Sequence, residues 1–115
     1  VRVHDVGDYI YIGNHSSLTD DNGVQLAPFR NSAGVATDPT TVTILIEDGA
    51  GVTTAYTWPT GSPAVSKEAT GRFYVARTPT AAEAGFWYFR LAGTGAVQTA
   101  EQGRLFVREQ RPASP

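Results

Sequence analysis

Cysteine and methionine are both absent from the 115 residues. Without cysteine there are no disulfides and no thiolate metal ligands. A domain this small and unstapled is held by packing alone or by partners. Charge is also scarce. Charged residues make up 17% of the chain and the net charge is -2, which gives no electrostatic footprint for nucleic acid. No apolar run approaches the roughly 18 residues a membrane helix needs, and residues 1–6 lack the apolar stretch of a signal peptide. Nor is a 3.6-residue hydrophobic period sustained anywhere, which argues against long helices.

Chemistry-bearing motifs are equally thin. The two histidines, His4 and His15, do not make the three or four converging ligands of a zinc site. Asp20-Asp21-Asn22-Gly23 looks like half a calcium loop. Val24 and Asn31 then stand where further oxygen ligands belong, so a turn is the reading. Ser16 and Ser17 follow His15, but neighbours in sequence do not make a triad, and G-x-S-x-G is missing. Gly93-Thr94-Gly95 lacks the lysine and following helix of a phosphate loop. The carboxylates are scattered over turns and strand ends, where solvation is their expected role. No catalytic residue, metal or cofactor is expected.

What is present is β-sheet punctuation. The densest stretch is residues 85–95, GFWYFRLAGTG. Strand alternation puts Trp87, Phe89 and Leu91 on a core face and Phe86, Tyr88 and Arg90 on a half-covered face, under a loop or a neighbouring subunit. Residues 41–48 alternate most cleanly, with Val42, Ile44 and Ile46 opposite Thr43, Leu45 and Glu47. Asp48-Gly49-Ala50-Gly51 then turns into residues 52–58. Further strands are expected at 1–6, 9–12, 24–30, 64–68 and 72–78, with 96–100 and 104–108 as a last strand pair or one bulged strand, and at most one helical turn at 79–85. Pro28 confines its segment to an edge or bulge. Short strands about ten residues apart, with turn signals between them, predict an all-β fold, a β-sandwich or a small barrel. The expected architecture is an Ig-like antiparallel β-sandwich of about 7–9 strands. The expected core is Ile44, Ile46, Phe73, Val75, Trp87, Phe89 and Leu91. Residues 1–23 read as an N-terminal strand and loop extension, 24–108 as the sandwich, and 109–115 as a flexible tail.

The order of motifs also resembles a group of small Ig-like virion proteins of tailed phages and prophages, especially those of actinobacteria. The residues that carry the likeness are Asp38-Pro39-Thr40-Thr41, Asp48-Gly49, Thr70-Gly71, Ala84-Gly85, Trp87, Arg90 and Gly93-Thr94-Gly95. They span residues 24–108; residues 1–23 have no counterpart, and the polar stretch 13–23 departs from the pattern. The resemblance implies structural work without a reaction. A capsid decoration (minor capsid) protein on the head is the first expectation, and a head-to-tail connector or tail component the alternative. The implied partners are the major capsid protein or other virion proteins, with a homo-oligomer, favoured as a trimer, and neither nucleic acid nor membrane. The implied location is the virion surface, after synthesis in the bacterial cytoplasm. Val3, His4, Tyr9, Tyr11 and Arg111 lie outside the motif set and are the expected partner contacts. On that reading, removing residues 1–12 abolishes attachment and leaves the fold intact. A different class is a carbohydrate-binding Ig-like module of a secreted protein, using Tyr9, Tyr11, Tyr56, Trp58 and Tyr74 as a sugar platform.

Overall fold

A computed structural model describes residues 2–19, 22–95 and 100–109. The chain is all-β, in two sheets. Its strands are β1 (Arg2–Asp5), β2 (Ile10–Gly13), β3 (Thr41–Glu47), β4 (Thr53–Trp58), β5 (Ser66–Ala69), β6 (Arg72–Arg77), β7 (Gly85–Thr94) and β8 (Ala100–Arg108). The larger sheet has the order β1-β8-β7-β3-β4 and the smaller the order β2-β6-β5. All pairings between strands are antiparallel except that of β1 with β8. No helix among the described residues is long and apolar enough to cross a membrane.

One core lies between the sheets. Ile10, Ile12, Phe73 and Val75 from the smaller sheet meet Val42, Ile44, Ile46, Trp87, Leu91, Leu105 and Val107 from the larger. These residues recur at every second position, so each strand offers one apolar side. Of the expected core residues, Ile44, Ile46, Phe73, Val75, Trp87 and Leu91 are buried. Phe89 is half-buried at the margin, opposite Gly103 in the ladder, where its ring occupies the space a Cβ would need. Trp87 is fixed from the preceding 3-10 turn, Ala81–Glu83. Its indole N–H donates to the Glu83 carbonyl at 2.6 Å, and the Arg77 guanidinium lies 4.8 Å from its ring centre. Arg77 in turn donates to Glu83 at 2.6 Å and to the Tyr56 hydroxyl at 3.1 Å.

The turn motifs interlock. Thr40 donates its amide to the Thr94 carbonyl at 2.7 Å, Thr41 and Thr94 share a hydroxyl contact, and Gly93 packs against Pro39. Asp38 accepts from the Gly71 amide at 2.8 Å and pairs with Lys67. The Gly49 amide donates to Glu83 at 3.2 Å, and a Cβ at Gly49 would run into the Ala84 carbonyl.

The N-terminal stretch is woven into both sheets. β1 pairs with β8 over Arg2↔Leu105 to Asp5↔Arg108, and β2 pairs with β6. Ile10 and Ile12 belong to the shared core. Asn14 follows β2 and is the most buried polar residue described. Its Nδ2 donates to the carbonyls of Gly71 (2.9 Å) and Ala27 (3.3 Å), and its Oδ1 accepts from the Phe73 amide (2.7 Å). Residues 24–30, expected as a strand, make only isolated bridges, Thr19↔Gln25 and Arg30↔Ala36. Phe29 still reaches the core, and its amide donates to the Gly71 carbonyl. Pro28 explains the difference, since a residue without an N–H cannot continue a ladder.

Candidate interaction surface

The ladders that bury one side of the larger sheet define its other side row by row. Val3, Phe106 and Phe86 stand opposite one another across β1, β8 and β7. Arg104, Tyr88, Glu47 and Thr53 form the next row, and Gln102, Arg90, Leu45 and Ala55 the one after it. No element among the described residues covers this face. Val3, Phe86 and Tyr88 are about half exposed, at 52%, 48% and 47%, and Leu45 is 40% exposed. Phe86 and Phe106 pack at 4.9 Å between ring centres, and the Arg104 guanidinium sits 5.5 Å from the Phe86 ring. Scattered exposed apolar residues need no explanation, but contiguous ones mark contact surfaces.

Tyr88 stands between two shallow grooves. One, of about 340 Å³, is lined by Tyr88, Phe89, Gln102, Gly103 and Arg104. The other, of about 230 Å³, is lined by Leu45, Glu47, Thr53, Tyr88, Phe89, Arg90 and Gln102. The charges beside them are uncommitted: among the described residues, neither Glu47 nor Arg90 has an ion-pair or hydrogen-bonding side-chain partner.

The smaller sheet carries a different cluster. Tyr11 lies flat on His15 with ring centres 4.1 Å apart, and Tyr74 meets both rings edge-on. Tyr9 meets Tyr11 at 87°. His15 Nδ1 lies 2.8 Å from the Ser17 hydroxyl and 3.1 Å from the Ser17 amide, and its Nε2 lies 3.3 Å from Glu68. A serine, a histidine and a carboxylate thus stand in line. Since the Ser17 amide can only donate, this network assigns Nδ1 as the acceptor and places the ring proton toward Glu68. The Ser17 hydroxyl shares that same nitrogen, as in a local loop contact. Desolvation pushes the Glu68 carboxyl upward, yet hydrogen bonds from the Ser16 hydroxyl and amide, with the His15 ring and the Arg72 guanidinium nearby, hold it below its ordinary range. The Ser16 bonds to Glu68 anchor the 14–19 loop to β5. No group of three or more histidine, aspartate or glutamate side chains among the described residues could hold a metal ion.

The residues expected as partner contacts do not share one surface. Val3 lies on the open face of the larger sheet, level with Phe106. His4 points to the opposite side of β1, and its Nε2 is buried without a partner among the described atoms. Burial lowers the His4 pKa, Arg2 adds to that, and Asp8 and Asp5 oppose it. Tyr9 and Tyr11 belong to the cluster on the smaller sheet. Arg111 lies outside the described residues. The strand alternation of residues 86–90 and 43–47 marks half of the open face in the sequence. Arg104 and Phe106 join it only through the β7–β8 register, which no local signal encodes. Comparison with family models, curated proteins and solved structures gave no match to this chain.

Proposed function

We propose that the chain is a non-enzymatic structural protein of a phage virion, an Ig-like β-sandwich that coats the head as a capsid decoration protein. It works by docking, through the open face of the larger sheet, on a neighbouring subunit. The observation that carries this reading is the contiguous apolar and aromatic surface of Val3, Phe106, Phe86, Tyr88 and Leu45, which no element among the described residues covers. Partner-binding surfaces are enriched in aromatic residues and arginine, and both are here. The virion resemblance supports the same reading, because its motif residues hold one another: 38–41 meet 93–95 and Gly71, and 48–49 meet 83–84. A sugar platform has less support. Trp58 packs on Phe73 at 4.7 Å between ring centres, and Tyr9, Tyr11 and Tyr74 are tipped edge-to-face instead of presenting one flat row.

The test is quantitative mass spectrometry of purified particles from the phage or induced prophage that encodes the chain. A copy number comparable to that of the major shell subunit is the expected result. A few copies per particle would move the protein to the neck or tail, and absence from particles would overturn the virion reading.

A further inference from the structure

We propose that the subunit docking on this open face is a second copy of the chain, related by a two-fold axis that lies between the two facing sheets and runs along β3 and β7. The proposal deepens the docking reading and rests on it for the choice of surface, though not for membership of a virion.

Three observations carry it. The first is charge placement. On one side of the β3/β7 boundary lie Arg90 and Arg104, flanking Tyr88; on the other lies Glu47, directly opposite Tyr88 in the ladder. A two-fold operator makes each contact occur twice with the roles exchanged. Rotation about an axis along that boundary sets Glu47 of one copy over Tyr88 of the other. The carboxylate then lies between Arg90 and Arg104, and the reciprocal contact forms at the same time. The second is that these groups are available: among the described residues Glu47, Arg90 and Arg104 have no ion-pair partner, and Arg104 rests against the Phe86 ring. The third is size. Under this axis β7 and β8 of each copy face β3 and β4 of the other and β1 lies outside; four strands about 4.8 Å apart, each about seven residues long at roughly 3.3 Å per residue, make a face on the order of 450 Å² per copy. Two such faces total about 900 Å², the size of a weak, reversible interface. Face-to-face sheets pack about 10 Å apart, which suits the side chains present here. The grooves beside Tyr88 would receive the corresponding side chains of the other copy.

The test is a charge exchange between copies, read as solution mass by light scattering and sedimentation equilibrium on the full chain. The wild type is expected as a dimer. Glu47→Arg alone sets three arginines together in each contact, and Arg90→Glu with Arg104→Glu sets three carboxylates together. Each variant by itself is expected to weaken association at least tenfold. An equimolar mixture of the two restores attraction at both contacts and is expected to return to dimer mass. Far-UV circular dichroism and melting curves check that the variants are folded. If either fails to fold, the wild-type charges are kept and Leu45→Cys supplies the chain's sole thiol. A short bis-maleimide is then expected to link two copies. A monomeric or trimeric wild type, a dimer indifferent to both reversals, a mixture that stays monomeric, or no cross-linked product would overturn the proposal. A dimer whose chain is absent from virions would leave the interface standing and remove only the virion reading.

Discussion

Asn14→Ala probes a residue that ties the end of β2 to β6 and to the 24–30 segment. The side chain closes three hydrogen bonds across the gap between β2, β6 and the 24–30 segment. Their loss is not uniform. The Gly71 carbonyl keeps the Phe29 amide as a donor at 2.8 Å, so it is not orphaned. The Ala27 contact is long at 3.3 Å and only partly buried. The Phe73 amide makes the shortest of the three bonds, at 2.7 Å in a buried setting, and orphaning a buried donor costs about 1–3 kcal/mol. With about 0.5–1.5 kcal/mol for each carbonyl bond, discounted as above, the expected loss is about 2–4 kcal/mol. That is a large part of the roughly 5–15 kcal/mol that holds a small domain together. The assay is urea unfolding with linear extrapolation, comparing midpoints at constant slope. Asn14→Asp sharpens it. The aspartate keeps the acceptor for Phe73 but turns a carboxylate oxygen toward two carbonyls, so at neutral pH it is expected to be worse than alanine and to recover as the acid protonates. A loss under about 1 kcal/mol for alanine, or an aspartate variant as stable as wild type at pH 7, would refute the assignment.

Trp87→Ala removes a fully buried indole and is expected to cost about 3–5 kcal/mol; a loss below about 1 kcal/mol in the same assay would place the ring outside the core. Gly13→Ala is expected to destabilise strongly, since Gly13 has φ +136° and a Cβ there meets the Phe73 carbonyl, whereas Gly34→Ala has open space around it and only the backbone strain; melting temperatures separate the two. Deleting residues 1–12 removes β1 and all of β2 but Gly13, with the core residues Ile10 and Ile12, and is expected to unfold the chain, as read by circular dichroism. Stability is expected to fall with acid in two stages. His4 binds its proton less readily when folded, so its contribution is whole above about pH 6.5 and drains as pH drops below that. Glu68 and Asp38 are depressed on folding, for both because donated hydrogen bonds and nearby cations outweigh desolvation, so theirs is lost at lower pH, through the carboxylate range. His4→Leu should flatten only the upper stage in melts taken between pH 7.5 and 3.5.

Local alternation made the central strands legible. Val42, Ile44 and Ile46 against Thr43, Leu45 and Glu47 need only a period of two. The same period marked Phe86, Tyr88 and Arg90 as a face apart from the core. What could not be read was long-range pairing. Residues 1–5 look like a detachable arm because their partner strand lies at the far end of the sequence. Asn14 sits in a run of turn formers, where an asparagine reads as one more polar residue; only Gly13 before it hints at a crowded backbone. Residues 24–30 have the apolar content of a strand, but Val24 stays exposed while Phe29 enters the core without a ladder. Apolar content there reports burial of one ring and not a pairing.

The parallel pairing of β1 with β8 has a mechanical side. Asp5 and Arg108 are joined by a 2.9 Å ion pair although 103 residues apart, and the Val6 amide reaches the Arg108 carbonyl at 2.9 Å. Tension applied at residue 2 and residue 108 pulls these two strands in opposite directions along their common axis. Parallel ladder bonds are evenly spaced, so the load is shared across the whole pairing instead of being peeled one bond at a time. A chain strained from both ends would therefore resist as a shear clamp, with the rest of the domain sheltered behind its first and last strands.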